Sequence, residues 1–231
     1  MQARGPGGFS QEIGTRLTAG LWDENCYCFL GQPYIIMMSN GDKLQIKRLN
    51  MDGYGGKTMA EMIKAYRQSV GDVRFIGKRY GDSDRVDGMF AARWDEWWAN
   101  GWFEAIEKQA GASPNDTFED SDAYIGLMRD KPGEPFQYWI GMFVPIHTDV
   151  PEGFAYIDFP KSAFGICWVY GKEPDIYMKE AQCWEKLREE GFEGVLDADG
   201  ACWFFERYGC PRFTAPDEKG NVILDIGFFV K

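Results

Sequence analysis

The pattern of apolar and polar positions occurs twice along this chain. One run of apolar and aromatic residues ends in the segment Ile140-Gly-Met-Phe-Val144, and a second ends in Ile226-Gly-Phe-Phe-Val230. Each run has the same order: an apolar strand, a helical stretch, an aromatic strand, a turn and this last strand. A repeat unit of about 80 residues is too long for a solenoid and fits a pseudo-symmetric duplication within one domain. Two half-domains packed about a two-fold axis leave a cleft at their junction, where ligands commonly bind.

Period-two alternation predicts strands in both copies, and a 3.6-residue period predicts the helices between them. The first copy is predicted to contain strands at 73–80, 123–129 and 136–144, helices at 86–99 and 102–108, and a hairpin turn at 131–134. The second is predicted to contain strands at 154–159, 163–170, 202–208 and 222–230, with a helix from Pro174 to about Glu190. This alternation favours an α+β domain of duplicated βαββ units, with an antiparallel sheet, helices on one face and a pocket at the junction.

The first 72 residues have a different pattern. Residues 34–38 and 44–49 are predicted strands of a hairpin around Asn40-Gly41. Apolar residues at 59, 62, 63, 66 and 70 predict a helix over 58–70, with Thr58 as its N-cap. We therefore expect an N-terminal extension over 1–72 and the duplicated domain over 73–231, divided into repeats at about 73–147 and 148–231.

Charge and cysteine content narrow the functional classes. The net charge of −11 and pI near 4.7 argue against direct DNA binding, which needs clustered Lys and Arg. No apolar stretch reaches the roughly 20 residues that span a bilayer, and residues 1–10 lack the apolar core of a secretory signal. We expect a cytoplasmic protein with no membrane association and six reduced, mostly buried cysteines. Cys26-x-Cys28 and the single His147 do not complete a metal site, so we expect neither metal nor cofactor.

Aromatic residues are the compositional excess, at 16% with nine Trp, which is typical of pockets for flat apolar ligands. Glu206 lies inside the aromatic strand 202–208, where alternation places it on one face with Phe204 and Tyr208. A solvated surface position, or a pair with Arg207, is the simpler interpretation of this glutamate. The helix tryptophans at 94, 97, 98 and 184 are expected in the core. The other candidate ligand-binding residues are aromatic: Tyr124, Tyr138, Trp139, Phe143, Trp168, Tyr170 and Tyr208.

Several segments together resemble one family. Pro151-Glu-Gly-Phe154, Ala163-Phe-Gly-Ile-Cys167, a following helix and Phe205-Glu-Arg-Tyr208 have the order of landmarks in GyrI-like domains, the effector-binding domains of AraC- and MerR-type regulators. Tyr138-Trp-Ile-Gly141 and the helix at 93–101 resemble further family segments. The likeness covers about residues 73–231. Residues 1–72 have neither the length nor the basic charge for paired helix-turn-helix modules, so we expect a stand-alone member.

The resemblance implies duplicated SHS2-like units and a central pocket in which Glu206 binds hydrophobic, planar or cationic ligands, for multidrug sensing or sequestration. A carboxylate between aromatic walls has a raised pKa and attracts cations. Two alternatives remain open. One is a hydrolase of cyclopropane-bearing electrophilic toxins, with Glu206 as the catalytic acid or base. The other is a protein-interaction module such as a gyrase inhibitor, which would have a protein partner.

Overall fold

The computed structural model describes residues 13–14, 17–18, 60–111, 118–173 and 175–231. Its strands are β1 (Ile13–Gly14), β2 (Leu17–Thr18), β3 (Glu61–Val70), β4 (Val73–Tyr80), β5 (Tyr124–Asp130), β6 (Gln137–Pro145), β7 (Ala155–Phe159), β8 (Ser162–Gly171), β9 (Leu196–Asp197), β10 (Cys202–Tyr208) and β11 (Val222–Val230). Its helices are α1 (Ala91–Ala99), α2 (Trp102–Ala110), α3 (Glu180–Glu189) and α4 (Pro211–Thr214), with a 3-10 turn at Asp82–Asp84.

The main path through the sheet runs β1-β7-β4-β6-β5-β10-β11-β8-β3. Every neighbouring pair along it is antiparallel except β1 with β7. The order is symmetric about the central β5–β10 pair: β6 and β11 flank it, β4 and β8 come next, and β7 and β3 lie outside them. The two Ile-Gly-x-Phe-Val segments therefore occupy related strands, β6 and β11, as the duplication predicts. The outer strands come from outside the half that they extend. Strand β7 of the second repeat pairs with β4 of the first, and β3, which precedes both repeats, pairs with β8 of the second.

The two faces of the sheet are buried in different ways. On one face, helix residues such as Trp97, Phe103 and Leu187 pack against sheet residues such as Ile140 and Phe204. On the other face the sheet curls over its own side chains, which form a phenylalanine-rich core of Phe75, Phe143, Phe159, Phe164, Phe205 and Phe229. Because side chains alternate along a strand, adjacent residues pack into different cores, one into the helix-covered core and the next into the phenylalanine-rich core. The α+β class and the helices on one face agree with the sequence prediction.

The glycines of the repeated segments are required by close packing inside the sheet. A Cβ added at Gly141 would lie 2.0 Å from the carbonyl oxygen of Ile76, and one added at Gly227 would lie 2.2 Å from the Phe205 ring. Both distances are shorter than any real Cβ contact. Gly141 and Gly227 are therefore packing residues, because the phenylalanine layer needs their missing side chains.

The helix predicted over 58–70 is wrong, because residues 61–70 form strand β3. The apolar spacing fits a helix, but β8 offers an unpaired edge, and nine residues of β3 pair with it. A β-bulge between Met62 and Lys64 explains the departure from strict alternation. Hydrogen bonding between β3 and β8 thus outweighs the helical spacing of the apolar residues, which is common for edge strands.

Two predicted helices are shorter than expected. Helix α1 begins at Ala91 instead of residue 86, because Val86 and Met89 form an isolated bridge around Asp87 and Gly88, which both have positive φ. Helix α3 begins at Glu180, and Pro174, its predicted first residue, is outside the described residues. The predicted hairpin over 34–49 is also outside them.

The cysteines follow the sequence expectation only in part. Cys167, Cys183 and Cys210 are buried free thiols, whereas Cys202 is disulfide-bonded, so the expectation of six reduced cysteines is wrong. A disulfide depends on spatial proximity, which spacing along the chain does not reveal. Within the described ranges, no helix has the length and apolar character needed to cross a bilayer.

Candidate functional site

A cavity of about 510 Å³ opens on the helix-covered face of the sheet. Its floor comes from the central strands β5, β6 and β10. Its walls come from α1, α4, the residues that precede α3 and the first turn of α3. The floor therefore lies where the two repeats meet, at the β5–β10 pair. The lining is mainly aromatic and includes Phe90, Trp94, Trp98, Phe136, Phe204 and Phe213. This volume lies within the range of small-molecule sites.

Glu206 lies on the cavity floor with only 7% of its surface exposed. The Tyr208 hydroxyl donates to Glu206 Oε2 at 2.7 Å, and the Tyr138 hydroxyl also donates to this carboxylate. Trp94 Nε1 donates in turn to the Tyr138 oxygen at 3.1 Å. The chain of donors from helix α1 through β6 to β10 holds the glutamate in one orientation, with its charge aimed into an apolar space.

Gly126 makes this arrangement possible. It lies directly opposite Glu206 in the β5–β10 ladder, and a Cβ there would lie 2.4 Å from the Tyr138 hydroxyl oxygen and 3.5 Å from Glu206 Oε2. Any larger residue would displace the tyrosine from the carboxylate. Because Gly126 has no side chain, the space above β5 is available to the Tyr138 hydroxyl.

Burial, and to a smaller extent the nearby Glu180 carboxylate, raise the pKa of Glu206 to about 8. The hydrogen bonds from Tyr208 and Tyr138 act the opposite way, but they do not cancel the loss of solvation. The pKa of Glu180, in the first turn of α3, is itself raised by desolvation. Two carboxylates with raised pKa values thus line one cavity, which identifies a functional-site candidate on physical grounds.

Aromatic rings surround the carboxylate and fix the shape of the walls. Phe90 stacks on Tyr138 with centroids 4.2 Å apart and planes within 1°. Trp94 meets Tyr208 edge to face at 4.8 Å, and Phe213 of α4 meets the same tyrosine at 5.1 Å. These contacts place electron-rich ring faces around the space that a cation would occupy.

Tyrosine hydroxyls at the outer wall are bound to acidic side chains. Tyr124 donates to Glu107 Oε1 at 3.1 Å, and burial raises its pKa to about 12. Tyr177 donates to Glu173, and burial also raises the pKa of this hydroxyl. Both hydroxyls therefore remain protonated at physiological pH and act as neutral donors.

Four of the predicted ligand-binding residues meet at the cavity and four do not. Glu206, Tyr208, Tyr138 and Tyr124 line it together. Trp139 and Phe143 do not, because β6 alternates and sends both side chains into the phenylalanine-rich core on the opposite face. Their neighbour Tyr138 points the other way, as the strand period requires.

Trp168 and Tyr170 lie on β8, away from the central pair. Trp168 packs edge to face on Tyr66 at 5.9 Å, and Tyr170 donates to Asp217 Oδ2 at 2.6 Å. Neither residue lines the cavity. Strand β11 lies between β8 and β10 in the sheet, so these two residues are displaced from the cavity floor. The sequence alone does not give this strand order.

The helix tryptophans divide in the same way. Trp97 is fully buried, and Trp184 packs against Phe228, as expected for core residues. Trp94 and Trp98 instead line the cavity, and half of the Trp98 surface is exposed. For Trp98 the core prediction is wrong. Trp94 packs against the helix-side core, as predicted, and also lines the cavity.

The surface interpretation of Glu206 is also excluded. Arg207, its possible partner, points to the opposite face and donates from Nε to Asp225 Oδ2 at 3.0 Å. Asp225 and Arg207 are both fully buried, and Arg212 of α4 donates to the same carboxylate from Nε at 2.7 Å. The cationic neighbours in sequence are thus committed to another carboxylate, and Glu206 is left without them.

Sequence reasoning missed the lining residues Phe90, Tyr177, Glu180 and Phe213, and it missed Gly126, which lies opposite Glu206 in the ladder. Glu180 had no clear signal, because the helix predicted from Pro174 to about Glu190 places it among several other charged residues. Gly126 had no sequence signal, because its importance depends on Glu206, the residue opposite it on the paired strand. Among the described residues, no group of His, Cys, Asp and Glu side chains has an arrangement that could hold a metal ion.

Comparison with known proteins gives structural likenesses only. No family model matches the chain, and no curated protein matches it. It is similar to a solved structure of a proposed bacterial transcription regulation protein from Staphylococcus aureus, with 15% identity over 73% of this chain and 99% of that one, at a TM-score of 0.48. A second structure, of a protein bound to tetraphenylphosphonium, shares 14% identity over 73% and 94% of the two chains, also at 0.48. An uncharacterised conserved protein from Listeria innocua shares 11% identity over 79% and 97%, at 0.40.

Proposed function

We propose that this protein binds lipophilic aromatic cations in the cavity above β5 and β10, for sensing or sequestration. The observation that carries the proposal is Glu206, a buried carboxylate that faces an aromatic cavity and has no ion pair with Lys or Arg among the described residues. An ionised carboxylate in such a place is costly without a countercharge, and the raised pKa of Glu206 reflects that cost. A bound cation would supply the missing countercharge. The GyrI-like resemblance of the segments around 151–208 supports the same function.

The walls favour an organic cation over a metal ion. Ring faces attract cations by up to about 2 kcal/mol when the site is dry, and they also bury the ligand's apolar surface. Arg85 is the one Lys or Arg among the described lining residues, and it pairs with Asp82 at 2.9 Å while lying over Phe90. The cavity therefore presents a negative floor inside a largely apolar enclosure.

The test compares tetraphenylphosphonium with the neutral triphenylphosphine oxide by calorimetric titration at pH 8.5. Glu206→Gln should weaken phosphonium binding by about 1–3 kcal/mol, the range for a lost charge-assisted contact, and leave the neutral compound unaffected. The exposed Glu185→Gln on α3 is the matched control and should change neither affinity. Equal affinity of wild type and Glu206→Gln for the phosphonium would refute the proposal.

A hydrolase is the second candidate, and the raised pKa of Glu206 favours it. A carboxyl that stays protonated near pH 7, beside two tyrosine hydroxyls, can act as a general acid toward a strained electrophile. Incubation with a cyclopropane-bearing alkylating compound should then give a ring-opened water adduct with wild type and none with Glu206→Gln. Product formation at the buffer rate with both proteins would exclude this activity for that compound.

A further inference from the structure

A second carboxylate, Glu180, lines the same cavity as Glu206 and comes from a different wall. It lies in the first turn of α3, whereas Glu206 comes from the sheet floor. Glu180 is partly buried, and its charge is close enough to contribute to the raised pKa of Glu206. The two groups thus face one enclosed volume from two directions.

The charge balance of the lining is strongly negative. Four acidic residues line the cavity (Asp95, Glu173, Glu180 and Glu206), and Arg85, which already pairs with Asp82, is the basic one among the described residues. Asp95 and Glu173 are exposed, so solvent screens them. Glu180 is shielded from solvent more than either. The neighbouring Lys179 lowers its pKa, but desolvation outweighs this effect and raises the pKa. It is the one further lining carboxylate whose charge solvent does not fully compensate.

We propose that the preferred ligand carries two cationic groups on one aromatic skeleton, the first bound by Glu206 and the second by Glu180. This inference rests on the proposed function and specifies its ligand class. A dication neutralises both carboxylates at once and removes the repulsion between them, while its aromatic spacer fills the space between Phe90, Trp94 and Tyr208. A monocation leaves one buried charge uncompensated.

The alternative for Glu180 is a purely structural role at the N-terminus of α3, where a carboxylate interacts favourably with the helix dipole. That role predicts loss of stability on substitution and no effect on the choice between ligands. The proposed role predicts a change in ligand preference. The two are separated by measuring preference and stability on the same variant.

The test uses two naphthalenes of permanent charge, one with a single trimethylammoniomethyl group and one with such groups at positions 1 and 4. Affinities are measured by calorimetry at pH 8.5 for wild type, Glu180→Gln and the exposed control Glu185→Gln on the same helix. Wild type should bind the dication at least about tenfold more tightly, as expected for one additional charge-assisted contact. Glu180→Gln should bind both compounds with equal affinity.

Glu185→Gln must retain the wild-type preference, since the overall negative charge of the protein attracts any dication. If Glu180→Gln still preferred the dication over the monocation, the inference would be overturned. The same holds if the preference fell equally in Glu180→Gln and Glu185→Gln. Equal binding of the two compounds to wild type would also overturn it and leave the proposed function standing. Failure of folded wild type to bind either compound would count against both, with circular dichroism as the check on folding.

Discussion

Binding of a permanently charged aromatic cation should become tighter as pH rises and level off above about pH 8. The reason is that Glu206 must release its proton before it can pair with the cation. Burial and Glu180 raise its pKa to about 8, whereas an ordinary glutamate is ionised well below pH 7. Tyr208 and Tyr138, which also face the carboxylate, stay protonated throughout the range because burial raises their pKa values.

The magnitude follows from the pKa of Glu206. One pH unit below the pKa, deprotonation costs about 1.4 kcal/mol, which is a tenfold loss of affinity, and two units cost about a hundredfold. Dissociation constants for tetraphenylphosphonium should therefore differ by about tenfold between pH 7 and pH 9. Between pH 6 and pH 7 they should differ by a further tenfold. Ionisation of Glu180 is linked to the same site and steepens this slope.

Calorimetric titration from pH 6 to pH 9 measures this dependence directly. Tetraphenylphosphonium does not titrate, so any change with pH comes from the protein. Repeating the titration at pH 7 in buffers of different ionisation enthalpy should show proton release on binding. Glu206→Gln should flatten the profile, and triphenylphosphine oxide should show none. A dissociation constant that is independent of pH in wild type would refute the reasoning, because it would mean that Glu206 is already ionised or is not the cation's partner.

The same linkage has a consequence for folding. The folded-state pKa of Glu206 is raised, so the folded protein holds a proton that the unfolded chain releases. Stability should therefore fall as pH rises from the unfolded value near 4.5 to about 8. Above that pH the Glu206 contribution no longer changes. The free energy of unfolding, measured by urea denaturation, should differ less between pH 5 and pH 9 for Glu206→Gln than for wild type. An equal difference in the two proteins would contradict a raised pKa for Glu206.

Substitutions at three further positions test the site and the packing beneath it. Gly126→Ala should push Tyr138 away from the carboxylate, weaken phosphonium binding and lower the free energy of unfolding by about 1–3 kcal/mol, as overpacking does; unchanged calorimetric affinity and urea midpoint would contradict this. Asp225→Asn should cost about 3–5 kcal/mol in urea denaturation, because it leaves Arg207 buried without its main carboxylate; a loss under 1 kcal/mol would show that the cluster relaxes. Trp94→Phe should retain most of the cation affinity, whereas Trp94→Ala should lose about tenfold, because the ring area contributes more than the indole N–H donor. Equal losses of affinity in calorimetry would instead indicate that the donor is the important group.

The sequence alone determined much about the floor of the cavity. Strict alternation in residues 202–208 places Glu206 with Phe204 and Tyr208, and the structure keeps that grouping because a strand has only two faces. The two Ile-Gly-x-Phe-Val segments likewise predict related strands, and the strand order is symmetric about the β5–β10 pair. Both features are local or periodic, so a single chain reveals them.

Tertiary structure decided which face of each strand meets the cavity. Alternation separates Tyr138 from Trp139 but does not say which of them faces the helices, and it is Tyr138 that does. The β3 segment shows the same limit, since its helical spacing gives way to the nine paired positions that the edge of β8 provides. Gly126 and Glu180 become important only through residues far away in sequence. Local patterns define the faces of an element, but pairing and packing between distant segments decide what each face contacts.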